Sequence, residues 1–168
     1  GNCNHGGKEG FDKKMYAVSS TEDSITFSRI SPDGEEGYPG NLDYAITYRL
    51  SNQGLHIETT ATTDQDTLFA YTNHAYFNLS ESDSVLDHTL MIPTDHYALL
   101  DETCLTKPEF QAVENTAFDF RQAKKIGQDI NLDDIQLTYG KGYDHHFPIP
   151  NEGLRTMAIL SYGKLELE

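Results

Sequence analysis

Residues 42–50 constrain this chain most, because Leu42, Tyr44, Ile46, Tyr48 and Leu50 alternate with Asp43, Thr47 and Arg49. Side chains along a strand point to opposite faces with period two, so this stretch predicts a strand with one buried side. Ser51-Asn52-Gln53-Gly54 follows as a turn, since Asn and Gly tolerate positive φ. Leu55-His56-Ile57-Glu58-Thr59-Thr60-Ala61-Thr62 then alternates again and is rich in β-branched residues. The pair reads as an antiparallel hairpin.

Shorter runs of the same character occur at 15–19, 24–30, 68–73, 89–92, 96–99, 145–149, 156–161 and 165–167. Helical signal is confined to 120–126, with Asp119 as its N-cap and Gly127 as its stop. Many short strands separated by turns predict an all-β fold, a large antiparallel β-sandwich, over alternating α/β. No repeat, low-complexity tract or linker divides the chain, which reads as one domain over 1–168. It opens in a Gly-rich loop and stops inside an alternating run, so the sandwich is expected to be incomplete here, truncated at both ends.

The formal net charge of −15, from 27 acidic and 12 basic residues, sets the partners. Nucleic acid and anionic lipid are bound through clustered Lys and Arg, so neither is expected as a partner. A neutral small molecule suits the surface better than a phosphorylated one. No apolar run reaches the roughly 20 residues of a membrane helix, and the start has no signal-peptide pattern. Cys3 and Cys104 form no metal-type spacing and are too few for a disulfide framework; two reduced thiols, which fit a cytoplasmic protein, are expected, with a single long-range disulfide as the alternative.

Four segments are richer in special-geometry and polar residues than a plain sandwich requires. Asn4-His5-Gly6-Gly7-Lys8-Glu9-Gly10 surrounds one His with glycines that let backbone approach a ligand. Asp33-Gly34-Glu35-Glu36-Gly37-Tyr38-Pro39-Gly40 is acidic, but its spacing is not that of a calcium loop and predicts a solvated turn. In Tyr71-Thr72-Asn73-His74-Ala75-Tyr76-Phe77-Asn78-Leu79, a strand would put His74, Tyr76 and Asn78 on one face, a hydrogen-bonding surface with an aromatic platform. In Gly142-Tyr143-Asp144-His145-His146, Asp144 and His146 would share a face while His145 points away. Histidines this scattered carry little metal signal, and neither a metal nor a cofactor is expected.

Taken together and in this order, the segments resemble the aldose 1-epimerase, or galactose mutarotase, family. Asp101-Glu102 and Thr116-Ala117-Phe118-Asp119-Phe120-Arg121 support the match, while Asn4 stands where the family usually has Leu. The resemblance implies a galactose mutarotase-like supersandwich that interconverts the α and β anomers of a free aldohexose by acid/base ring opening. It makes His74 the general acid at the ring oxygen and His5 its assistant, with Asp144, Tyr76 and Asn73 on the substrate. The family's base, a Glu, and an upstream sugar-binding Arg have no match in this chain. A carbohydrate-binding module without catalysis, a hexose-6-phosphate 1-epimerase relative and a metal-dependent hydrolase are the alternatives. The second would need Arg or Lys in its cleft, and the segments are poor in Arg.

Overall fold

The computed structural model describes residues 3, 5–149 and 153–168. Gly1, Asn2 and Asn4, part of the expected opening loop, lie outside the described residues. The chain divides into two compact units, Gly1–His74 and Ala75–Glu168. Both are antiparallel β structures, as the alternation predicts.

The first unit is a four-stranded meander of β1 (Ala17–Ser20), β2 (Ser24–Ser31), β3 (Leu42–Ser51) and β4 (Gly54–Thr63). The expected hairpin is β3–β4, closed by the Ser51↔Gly54 pair with Gly54 at φ 136°. Leu42, Tyr44 and Ile46 of β3 are buried and carry Phe11, Tyr16, Tyr48, Phe69 and Tyr71 against them. Residues directly opposite in an antiparallel pair share a face, so Ile25, Leu50, Leu55 and Ile57 continue that apolar stripe toward the hairpin, where they are exposed.

Arg29 of β2 lies opposite Tyr44, on the same inner face. Its guanidinium meets Glu35 through two bonds of 2.7 and 2.6 Å, with Ser31 Oγ donating at 2.6 Å and Lys14 Nζ 3.3 Å away. Those hydrogen bonds, Arg29's foremost, hold the Glu35 carboxyl down from 4.5 to about 2 against the opposing effect of burial.

The second unit contains β5 (Thr89–Met91), β6 (His96–Leu100), β7 (Thr106–Ala112), β8 (Lys124–Lys125), the helix α1 (Ile135–Gly140), β9 (Ile159–Tyr162) and β10 (Leu165–Leu167). One sheet has the order β10-β9-β5-β8, and β6-β7 forms a separate hairpin. Its core gathers Tyr97, Val113, Ala117, Phe118 and Leu137, with Tyr97 and Phe118 stacked at 4.2 Å.

Three expectations fail locally, and two elements, α1 and β7, form where none was expected. Residues 68–73 and 145–149 are extended but join no ladder; aromatic stacking holds the first, and the second is tied to β6 by Ala98 N–H donating to His146 O. Residues 120–126 are not helical. Asp119 turns its carboxylate onto Arg121 N–H and guanidinium, and Lys124-Lys125 pair with β5 instead. The helix forms at α1, where Asp134 caps Gln136 N–H at 2.7 Å and Lys141 closes the end at φ 52°. β7 was masked by Pro108, which suits an exposed edge strand.

Glu35→Gln should cost ~1.5–3 kcal/mol at neutral pH, the range for hydrogen bonds to a charged group. The folded carboxyl titrates below the unfolded one, so its contribution is complete above about pH 4.5 and disappears as pH falls toward about 2. Urea titrations followed by tyrosine fluorescence should show wild type and variant converging across that window.

Candidate active site

The Gly-rich loop is built by an unusual run of backbone. His5, Gly6 and Gly7 have φ of 51°, 78° and 102°, all left-handed, a region that costs L-residues steric strain. Glu36 braces the loop from the far side: its Oε2 accepts from Lys8 N–H at 3.0 Å and its Oε1 from Glu9 N–H at 3.1 Å. A Cβ on Gly7 would fall 2.0 Å from Glu36 Oε2, and one on Gly10 would fall 2.3 Å from His5 O. Glycine is therefore required at both positions, and the acidic turn is a brace more than a solvated loop. Asp33 likewise accepts from Gly40 N–H at 2.7 Å.

From the loop the chain enters Phe11, whose ring stacks on Tyr44 at 4.6 Å. Tyr44 OH donates to Tyr16 OH at 2.8 Å, which donates to Phe11 O at 2.9 Å. Burial drives the Tyr44 phenol well above its ordinary range, so it stays a protonated donor. On the other side Phe69 packs on Tyr44, Tyr71 stacks on Phe69, and Asn73 Nδ2 donates to Tyr48 OH at 3.1 Å. One strand's tyrosines thus place two distant segments, and the result is that His5 and His74 meet with ring centroids 5.3 Å apart. Both rings are exposed.

Of the other expected residues, Asn73 is the first unit's and faces Tyr48. Tyr76 and Asp144 belong to the second unit. Tyr76 is 90% exposed, an open aromatic surface. Asp144 is exposed, and its Oδ2 accepts from Cys104 Sγ at 3.5 Å. Cys104 sits at φ 65° in a turn where Asp101 Oδ1 accepts from Thr103 N–H, Thr103 Oγ and Leu105 N–H. Partial desolvation and the bond to Asp144 push the thiol up, which keeps it a donor. The alternation expected at 144–146 is present without a strand: Asp144 and His146 are exposed and His145 is turned inward.

The sequence does not single out His88, and it offers Glu36, Tyr48 and Cys104 only as a turn carboxylate, a residue of the alternating stripe and a reduced thiol. His88 is fully buried, stacks on Tyr162 at 4.7 Å and accepts from Leu79 N–H at 2.9 Å through Nε2. It anchors the end of the 71–79 segment. Tyr48 lay in the alternating stripe, but nothing in that pattern distinguishes a packing tyrosine from one that holds Asn73. Among the described residues, no group of three or more His, Cys, Asp or Glu is placed to hold a metal ion. None of the described helices is long and apolar enough to cross a membrane.

The aldose 1-epimerase family model matches residues 1–165. Human galactose mutarotase is 41% identical over 148 residues, covering 87% of this chain and 42% of that protein. The aldose 1-epimerase of Haemophilus influenzae is 39% identical, covering 98% and 49%. The crystal structure of galactose 1-epimerase from Lactobacillus acidophilus superposes with a TM-score of 0.83 at 36% identity, over 94% of this chain and 48% of that one. The chain spans about half the length of the relatives it matches.

Gly7→Ala should displace Glu36, free the Lys8 and Glu9 amides and separate the two imidazoles. Amide and imidazole resonances in ¹H–¹⁵N and ¹H–¹³C spectra should shift at residues 5–9 and at His74, while those of the β6–β7 hairpin stay in place. Unmoved His5 and His74 signals would show that the loop does not set the pair.

Proposed function

The chain belongs to the aldose 1-epimerase family, and we propose that, in a protein of its relatives' length, it interconverts the α and β anomers of a free aldohexose such as galactose or glucose. The observation that carries this reading is the pair of exposed imidazoles, His5 and His74, 5.3 Å apart at the end of a rigid aromatic stack. Mutarotation needs a proton delivered to the ring oxygen while another leaves the anomeric hydroxyl. Imidazole, with an unperturbed pKa of about 6.5, suits such an exchange near neutrality.

In this mechanism His74 protonates the ring oxygen as the C1–O5 bond breaks and its electron pair passes to that oxygen. The electrons of the departing anomeric O–H proton form the aldehyde. Rotation about the C1–C2 bond presents the other carbonyl face, and the same transfers in reverse close the ring. His5 hydrogen-bonds the sugar beside His74. Asp144 accepts from sugar hydroxyls, Asn73 adds a polar contact, and Tyr76 offers its ring to the apolar face of the pyranose. By family resemblance the base that removes the anomeric proton is a Glu, which the residues assembled here do not include.

The net charge of −15 and the scarcity of Arg around these residues favour a neutral hexose over a hexose 6-phosphate. The substrate is the only partner this reading requires. Two exposed free thiols, Cys3 and Cys104, support a reducing, cytoplasmic setting.

Polarimetry on freshly dissolved α-D-galactose tests the reading. A protein of the relatives' length should accelerate the rotation change, and His74→Asn should lower its kcat by about 10²–10⁴-fold with the circular dichroism unchanged. Asp144→Ala should act mainly on KM, raising it about 10- to 100-fold, the loss of one to two hydrogen bonds to a charged group. A His74→Asn variant at wild-type speed would remove the acid from that residue.

A further inference from the structure

The peptide that carries Asp144 is anchored from within by the next residue. His145 is packed against Phe118 and Tyr97, at ring-centroid distances of 4.4 and 5.6 Å. Its Nε2 lies 3.2 Å from Gln136 Oε1, and its Nδ1 is buried without a hydrogen-bond partner. Gly140 makes room for the ring: a Cβ there would stand 3.0 Å from His145 Cε1.

The direction of each bond follows from the chemistry of the groups. Gln136 is almost wholly buried, at 8% exposure. Its carboxamide is forked onto the backbone of Leu100 in β6, with Leu100 N–H donating to Oε1 at 2.7 Å and Nε2 donating to Leu100 O at 3.2 Å. A backbone amide can only donate and a carbonyl can only accept, so the fork fixes which end of the carboxamide is oxygen. That oxygen then accepts from His145 as well, and His145 must carry its proton on Nε2. Nδ1 is left as a bare lone pair in an apolar pocket. The ring is held neutral there, its pKa lowered by burial against the opposing pull of Asp144 and Asp134.

We propose that His145 and Gln136 form a positioning pair for Asp144, transmitting the register of β6 to the sugar-binding carboxylate through a single fixed imidazole tautomer. Three attachments leave the Asp144 peptide little freedom: the Gln136–His145 bond, the packing of His145 on Phe118, and Ala98 N–H donating to His146 O at 2.8 Å. The carboxylate is then trimmed by the Cys104 thiol. Small misplacements of a binding group are costly in an active site, since a shift near 1 Å far from the chemistry can lose about 100-fold. This proposal rests on the reading of Asp144 as a sugar-binding residue.

The test compares His145→Gln, whose amide N–H reaches about as far as Nε2, with His145→Leu, which fills space without a donor. Polarimetric KM and kcat for galactose are measured on the protein of the relatives' length, with Asp144→Ala as reference and thermal melting as the stability control. KM should rise about ten-fold in His145→Leu with kcat held within about two-fold, and His145→Gln should restore KM. Long-range ¹H–¹⁵N correlation spectra of the 168-residue chain should show the His145 proton on Nε2, and Gln136→Leu should abolish that preference. A proton on Nδ1, or a KM that follows melting temperature equally in both His145 variants, overturns the positioning role. If Asp144→Ala leaves KM unchanged, the sugar-binding reading itself falls; if it raises KM while His145→Leu does not, only the positioning pair falls.

Discussion

In each unit of this chain, polar groups buried among aromatic rings find partners on the segments that hold the proposed site residues. Tyr44 is 1% exposed, and its hydroxyl is satisfied through Tyr16 to the carbonyl of Phe11, the residue that follows the Gly-rich loop. In the second unit Gln136 is satisfied by β6 and by His145, and Tyr143 OH by Ala117 O at 3.1 Å. An unmade hydrogen bond at such sites costs about 1–3 kcal/mol, comparable with a large share of a domain's net stability. Loops that would otherwise drift are thereby bound to the core of their own unit.

The same constraint explains what could be read beforehand. Period two placed β2, β3, β4, β5, β6 and β10 close to their observed bounds because burial of one face leaves its pattern in every second residue. It failed at 68–73, where alternation and aromatic content are real but are used for stacking on Tyr44 without a ladder. The cap-and-stop signal for a helix at 120–126 failed too, because Asp119 found Arg121 in place of a helix terminus. Side-chain partners such as Glu36 for the 5–10 loop, 27 and 28 residues away in the chain, leave no periodic trace. Resemblance to a family names His5, His74 and Asp144 as candidates, whereas the residues that hold them follow only from coordinates.

The acidity of the chain takes on structural meaning in the same way. Glu35 neutralises Arg29 on the inner face, Glu36 caps two loop amides, Asp134 caps α1, and Asp101 closes the turn that presents Cys104. These carboxylates accept from groups that strands and helices leave unpaired, which is why acidic residues gather at turns rather than along the ladders. Charge read from composition weighs against anionic partners as an expectation, but it does not separate the carboxylates that build loops from those that stay in solvent.

Four histidines of the chain divide by exposure, two in the first unit and two in the second. His88 and His145 are enclosed, and each has one nitrogen assigned by a neighbour of fixed polarity: Leu79 N–H makes His88 Nε2 an acceptor, and Gln136 Oε1 makes His145 Nε2 a donor. A ring so assigned cannot exchange its proton without breaking a bond in an apolar surrounding, so it serves as a rigid strut. His5 and His74 present their rings to solvent at the surface of the first unit. Proton transfer to a substrate requires a group that can be recharged after each turnover, and access to water supplies that. The proposed proton chemistry uses exposed histidines for this reason, whereas the two enclosed ones brace segments of their own unit.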